Sequence, residues 1–197
     1  MKLTISDVNK FFECLDNFVN KRVDVVLIGG GSLLYYGLKP STKDIDLVIE
    51  DRNLLVDLSP FFDLYSKENR IEIQYGSFER FQSMILNEDM TRHSREINHV
   101  KDSFLSTYKF KNLHIHLIRP VYLALIKIEA SSRTGLAHLD EAIRIAKHFK
   151  ITKDEMIDVF KEYAPEIDLI PRMDTSFNSF IEETFNEKDF DIKQHLN

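Results

Sequence analysis

The chain has 197 residues, and its 43% hydrophobic and 29% charged residues give it the composition of a globular protein with a substantial core. A formal net charge of −6 argues against a protein that coats nucleic acid non-specifically, but it leaves room for a local basic groove. The single Cys14 excludes an intrachain disulfide, and the absence of a signal-peptide pattern or a run of about 20 apolar residues predicts a cytoplasmic protein that does not engage a membrane.

The first quarter of the chain alternates between helix and strand patterns. Apolar residues recur at helical spacing over 6–20, and a β-branched run over 23–28 predicts a buried strand. Three glycines then predict a tight turn, followed by a short helix from Ser32. A second buried strand is predicted at 45–49. This order indicates an α/β protein.

The rest of the chain changes character near Pro120, from mixed elements to helices alone. We therefore predict a core over 1–119 and a helical C-terminal part over 120–197 that packs on it, or one single domain. The patterns predict, in chain order, a helix at 53–62, a strand at 70–75, a hairpin of 103–109 with 113–118, and helices at 120–132, 136–149, from Thr152 (with a Thr152–Glu155 capping box) and at 177–185.

Two aspartates at the start of the second strand are the main candidates for chemistry. Residues two apart in a strand point to the same side, so Asp44 and Asp46 project together while Ile45 packs behind them. Two adjacent carboxylates repel each other unless water or a cation neutralises them. A pair of carboxylates that leaves room for substrate phosphates suits Mg²⁺ (or Mn²⁺). The alternative to a metal site is that Asp44 and Asp46 are only surface residues near the start of a strand.

The glycines upstream of this pair add a second feature. Without side chains, Gly29 and Gly30 let backbone N–H groups come close to a phosphate. The segment is not a Walker A loop, because no Gly-Lys-Ser/Thr follows, and a dinucleotide fingerprint fails at Leu34. A simple tight turn is the alternative.

Together, G-G-G-S-L and S-T-K-D-I-D resemble the signature of the nucleotidyltransferase superfamily. The local sequence is similar to that of AbiEii-type and related toxin nucleotidyltransferases. The resemblance implies a nucleotidyltransferase-type mixed β-sheet with flanking helices (an α/β, or α+β, fold). It also implies a set of site residues: triphosphate contacts from Gly29, Gly30 and Ser32, Thr42 beside the metal, and Mg²⁺ on Asp44 and Asp46.

The same relatives have a lysine on a later helix, then an arginine, then an acidic residue on the next helix. Lys127, Arg133 and Asp140 match that order, although His138 or Glu141 could take the place of Asp140. Lys127 lies on an apolar helix face, where an ammonium without a partner is unfavourable. The alternatives for Lys127 are binding a phosphate and extending to solvent.

The sequence departs from the superfamily at the third carboxylate that many members have on a later strand. Glu72 and Asp140 are the candidates, and an absent third carboxylate is the alternative. His114 and His116 share one face of a predicted strand, but two such histidines are more often surface positions.

These features predict an enzyme that transfers a nucleoside monophosphate from an NTP to a hydroxyl of RNA (tRNA, for example) or of a protein. An antitoxin-like protein partner follows from the resemblance to toxins. The first alternative is a nucleotide-binding or partner-binding module of the same fold with little turnover. A second alternative is an enzyme that modifies a sugar or an antibiotic.

Overall fold

The computed structural model describes residues 2–49, 51–76, 110–162 and 172–196. The described residues fall into two compact units, one up to Ile118 and one from Arg119 onward. A division into compact units does not show that each part folds alone, so the domain organisation stays a prediction. In the described ranges, no helix combines the length and the apolar character needed to cross a membrane.

Within the described residues, the N-terminal unit is built on a mixed four-stranded sheet. Its strands are β1 (Val23–Ile28), β2 (Asp44–Val48), β3 (Glu72–Gly76) and β4 (Leu113–Leu117), in the order β3-β2-β1-β4. Strand β2 is antiparallel to β1 and parallel to β3, and β1 is parallel to β4. The predicted class, a mixed α/β sheet with flanking helices and a helical C-terminal part, is confirmed. The described helices of this unit are α1 (Ile5–Phe18), α2 (Gly29–Tyr35) and α3 (Arg52–Asn69).

Burial follows the sequence pattern that predicted these elements. Helix α1 buries one stripe at helical spacing, including Phe11, Phe12 and Leu15, each 0% exposed. Strand β1 is buried along almost its whole length, as expected for a strand inside a sheet. The predicted strand at 103–109 lies outside the described residues, whereas its predicted partner corresponds to β4.

The structure changes the predicted bounds of α2 and α3. Helix α2 begins at Gly29, so the three glycines form its first turn and not a separate turn before it. Helix α3 continues through Pro60 to Asn69. Pro60 cannot donate a hydrogen bond to the Val56 carbonyl, but the Ser59 hydroxyl donates to that oxygen at 3.0 Å. The prediction of 53–62 already included this proline, and the structure extends the helix seven residues beyond the predicted end.

The C-terminal unit is helical. Its helices are α4 (Pro120–Thr134), α5 (Leu136–Phe149), α6 (Lys153–Glu162) and α7 (Met173–Phe185), followed by a 3₁₀ turn (Ile192–His195). Helix α5 packs against α4, and α7 packs against both. Gly135, with φ of 104°, separates α4 from α5. The Thr152–Glu155 capping box is confirmed, since the Thr152 N–H donates to Glu155 and the Glu155 N–H donates to the Thr152 hydroxyl, at 2.7 and 3.2 Å.

Candidate functional site

Asp44 and Asp46 lie at the beginning of β2. Both are half-buried, while Ile45 between them is 0% exposed, so the strand alternates as its sequence requires. Thr42 precedes them on the same alternation and is buried, and its hydroxyl donates to Oδ1 of Asp44 at 3.2 Å. The two carboxylates and this hydroxyl form an oxygen-rich edge at the start of the strand.

The glycine segment lies directly against that edge. A Cβ built on Gly29 would be 2.0 Å from Oδ2 of Asp46, and one on Gly30 would be 2.1 Å from the Thr42 hydroxyl oxygen and 3.7 Å from Oδ1 of Asp44. Gly29 also has φ of 61°, a conformation that side chains disfavour. The absence of side chains at both positions is therefore what permits this approach to the carboxylates.

Ser32 lies deeper than its predicted role requires. Its side chain is 0% exposed, and the hydroxyl donates to the Leu27 carbonyl at 2.5 Å. The Ser32 hydroxyl therefore joins α2 to the end of β1 by a hydrogen bond. Contact of Ser32 with a triphosphate stays a prediction, as do the triphosphate contacts of Gly29 and Gly30.

The neighbouring strand β3 brings further polar groups to the same face of the sheet. In the parallel register, Glu72 aligns with Asp44 and Gln74 with Asp46. The Gln74 amide donates to the exposed Glu72 carboxylate at 2.9 Å. Glu72 is therefore the candidate third carboxylate that lies next to the aspartate pair. Within the described ranges, however, no three acidic, histidine or cysteine side chains are arranged to hold a metal ion by themselves.

The residues that are present fit Mg²⁺ as a partial ligand set. Asp44 and Asp46 supply hard, anionic oxygens on one face, and the missing side chains of Gly29 and Gly30 leave room for the Asp46 carboxylate and the Thr42 hydroxyl against the glycine backbone. Mg²⁺ commonly takes one or two carboxylates and completes its shell with water and substrate phosphates. A two-carboxylate edge satisfies that requirement without a third protein ligand.

Lys127 and its predicted companions lie in the C-terminal unit. The Lys127 ammonium is 2.7 Å from Oε2 of Glu141, and both side chains are buried. His138 approaches the same carboxylate oxygen at 3.6 Å. Asp140 is exposed, so Glu141 is the acidic residue of α5 that contacts Lys127. Arg133 pairs with the buried Glu129 at 2.6 Å. The phosphate-binding role of Lys127 and the role of Asp140 stay predictions.

A second charged group lies on β1 and β4. His116 is buried, in contrast to the surface position expected for it, and its Nε2 lies 2.7 Å from Oδ1 of Asp24. Arg22 contacts the other oxygen of Asp24 at 3.1 Å. Burial alone would raise the pKa of Asp24, but the hydrogen bonds from Arg22 and His116 outweigh it and lower that pKa. His114, two residues earlier, is exposed.

A basic pocket that no sequence pattern predicted lies beside the aspartate pair. It has a volume of about 430 Å³ and is lined by Lys2, Lys43, Arg70 and Glu72. Lys2 reaches it because Leu3 pairs with Thr42 through backbone hydrogen bonds of 2.7 and 2.9 Å. A contact between residues so far apart in the sequence leaves no local pattern, and only the position of Lys43 beside Asp44 could have pointed to it.

No protein-family model matches the chain, and neither does any curated protein. Among solved structures, the chain is similar to the crystal structure of an antigenic nucleotidyltransferase-like protein from Paracoccidioides brasiliensis, with 14% sequence identity and a TM-score of 0.48 over 94% of this chain and 92% of that one. A TM-score below 0.5 is too low to support an argument, so the function must be inferred from the site itself.

Proposed function

We propose that the protein is a Mg²⁺-dependent nucleotidyltransferase that transfers a nucleoside monophosphate from an NTP to a hydroxyl of RNA or protein. The observation that supports this most is the contact between the glycine segment and the aspartate pair. Gly29 and Gly30 leave no room for a Cβ beside Asp46 and Thr42, so a backbone rich in N–H groups adjoins two carboxylates. Phosphoryl transfer requires such a combination, since positioning and charge stabilisation supply most of the catalysis.

Each part of the site has a distinct role in this proposal. Asp44 and Asp46 would hold Mg²⁺, which when bound neutralises charge on the phosphates and on the departing pyrophosphate. Thr42 orients Asp44 through its hydrogen bond. The backbone of Gly29 and Gly30 fixes the triphosphate, which limits the geometries from which the acceptor hydroxyl can attack. Glu72, aligned with Asp44, is available as a further oxygen ligand.

A transfer assay tests the proposal. Purified protein is incubated with each of the four labelled NTPs, Mg²⁺ and bulk RNA or cell protein, and both pyrophosphate release and labelled product are measured. We expect product with the natural chain and none with the Asp44→Asn/Asp46→Asn variant. Glu13→Gln/Asp57→Asn, which removes two exposed carboxylates of the same unit, serves as the charge-matched control. Full activity in the double Asn variant would refute the assignment.

A second candidate function is a nucleotide-binding or partner-binding module with little turnover. It is favoured by one observation: no three-ligand metal cluster is present in the described part of the chain. The two candidates differ in one measurement. The module would bind Mg²⁺–NTP through Asp44 and Asp46 but release no pyrophosphate with any acceptor, whereas the enzyme does both.

The narrower assignment rests on the resemblance of the local sequence to AbiEii-type toxins. We propose on that basis a cytoplasmic toxin-like enzyme with an antitoxin-like protein partner. Expression in a bacterial host tests it. Growth arrest that requires Asp44 and Asp46 would support the assignment, and normal growth at high levels of active protein would contradict it.

A further inference from the structure

The basic pocket lined by Lys2, Lys43, Arg70 and Glu72 concentrates positive charge in an acidic protein. Three of its four charged groups are cations, in a chain whose formal net charge is −6. All four side chains are exposed, and none of the three cations has an ion-pair partner among the described residues. Cations that serve only solubility are usually dispersed on the surface, whereas these converge on one cavity of about 430 Å³.

The backbone that presents these cations is fixed by hydrogen bonds. Lys2 and Lys43 are adjacent because Leu3 and Thr42 exchange two backbone hydrogen bonds. Arg70 ends α3 in a left-handed conformation with φ of 57° and ψ of 40°, and its N–H donates to the Ser66 carbonyl. The pocket is therefore a feature of the folded sheet and not of a free terminus.

The pocket and the glycine segment lie on opposite flanks of the aspartate pair. In the strand order β3-β2-β1, β2 holds Asp44 and Asp46, β1 leads into the glycines, and β3 contributes Glu72 to the pocket. The pairing of Asp44 with Glu72 puts one lining residue of the pocket on the neighbouring strand, at a backbone spacing of roughly 5 Å from Asp44. Phosphoryl transfer places the attacking and leaving oxygens on opposite sides of the phosphorus. If the glycines hold the triphosphate on one side of the aspartates, the acceptor must approach from the other side, where the pocket lies.

We propose that this pocket binds a backbone phosphate of an RNA acceptor, and that RNA is therefore the substrate class of the site. The inference rests on the proposed nucleotidyltransferase function for its orientation. Three cations against one carboxylate suit a phosphodiester chain, to which lysine and arginine supply most of the affinity. They do not suit a protein acceptor unless it is acidic.

RNA binding is measured without catalysis, by fluorescence anisotropy of a labelled RNA hairpin with a single-stranded 3′ end, over a range of salt concentrations. The pocket variant is Lys2→Gln/Lys43→Gln/Arg70→Gln. The control variant is Lys10→Gln/Lys21→Gln/Lys111→Gln, which removes three exposed charges of the same unit outside the pocket. We expect the pocket variant to bind RNA roughly tenfold more weakly, about threefold or less for each exposed charge, and the control about twofold or less in total. The slope of log affinity against log salt should fall by about 0.7 for each phosphate that the variant no longer binds.

Two further measurements separate this inference from the proposed function. The pocket variant should keep its Mg²⁺–NTP affinity. Asp44→Asn/Asp46→Asn should bind RNA at least as tightly as the natural chain, because it loses two negative charges, while its NTP binding disappears. Equal reductions of RNA affinity in the pocket and control variants would overturn the inference, because net charge alone would then explain binding. A pocket variant with reduced NTP affinity and unchanged RNA affinity would also overturn it, as would binding of an acidic polypeptide in preference to RNA.

Discussion

Gly30 packs directly against side chains of the protein, whether or not a ligand is bound. A Cβ at this position would lie 2.1 Å from the Thr42 hydroxyl oxygen, far inside contact distance. Thr42 is buried and hydrogen-bonded to Asp44, so displacing Thr42 would disturb its hydrogen bond to that carboxylate. The glycine is thus required by the site's own packing as well as by any phosphate that approaches it.

We therefore expect Gly30→Ala to lower the free energy of unfolding by about 1–3 kcal/mol, the usual cost of forcing an atom into a packed site. Its affinity for Mg²⁺–NTP should fall as well, because Asp44 is displaced. Thermal melts and NTP titrations measure the two effects separately.

Gly37→Ala is the control for this prediction. Gly37 has φ of 71°, and a Cβ at that position would meet no atom within 4 Å. Backbone strain alone should therefore cost about 1 kcal/mol in Gly37→Ala and leave NTP affinity unchanged. Natural stability and affinity in Gly30→Ala would contradict the packing argument.

Asp16 joins α1 to the beginning of β4. Its carboxylate accepts hydrogen bonds from the N–H groups of Lys111, Asn112 and Leu113, at 2.9, 2.7 and 2.8 Å. Burial would raise the pKa of Asp16, but these three donors outweigh it and lower that pKa. We expect Asp16→Asn to reduce the free energy of unfolding by about 1–2 kcal/mol at neutral pH.

The lowered pKa of Asp16 also fixes the sign of the pH dependence. Its stabilising contribution is complete above the unfolded-state pKa of about 3.9 and is lost as the pH falls through the lower folded-state pKa. The difference in stability between the natural chain and Asp16→Asn should therefore shrink in acid, as urea melts at several pH values will show. Glu13→Gln removes an exposed carboxylate from the same helix and should have little effect. A difference that grows in acid would contradict this assignment.

At the scale of elements, a buried ion pair joins α4 to α5. The charged atoms of Lys127 and Glu141 are 2.7 Å apart, and the two side chains are only 8% and 10% exposed. Lys127→Met removes the cation and leaves the buried Glu141 carboxylate without the lysine. Breaking a buried pair in this way costs about 3–5 kcal/mol, whereas replacing both partners by apolar residues is often neutral or stabilising.

We expect Lys127→Met to be strongly destabilised and Lys127→Met/Glu141→Leu to recover most of the stability in chemical denaturation. Asp140→Asn serves as the control, because that neighbouring carboxylate is exposed. If Lys127→Met alone melts like the natural chain, the ion pair does not contribute to the folded state. The double variant also provides a folded protein in which the predicted phosphate role of Lys127 can be tested.

The elements differ in how far their sequences determined them. Strands β1 and β2 follow from buried β-branched runs, and the shared face of Asp44 and Asp46 follows from alternation alone. Local signals were not enough where a distant group intervenes. The Leu3–Thr42 bridge depends on such a tertiary contact, and so does the pairing of Lys127 with Glu141 and not with Asp140.

At the scale of the whole molecule, the division into two compact units allows calorimetry to locate a bound ligand. A ligand that binds only the folded state stabilises it by about 2.7 kcal/mol at a hundred times its Kd. A chain with two units can unfold in two transitions, so each can be followed separately. Mg²⁺–NTP should raise the transition of the unit that contains Asp44 and Asp46.

We expect this shift to disappear with EDTA and in Asp44→Asn/Asp46→Asn, because both remove the metal-dependent part of binding. If the truncated chains 1–119 and 120–197 each fold, their melting curves assign the two transitions.

The transition of the helical unit then tests the predicted role of Lys127. If its ammonium holds a phosphate of the same NTP, the transition of the helical unit should rise together with the first, and Lys127→Met/Glu141→Leu should abolish only that second rise. If Mg²⁺–NTP raises the unfolding temperature of the N-terminal unit but not that of the helical unit, the predicted role of Lys127 in nucleotide binding is wrong.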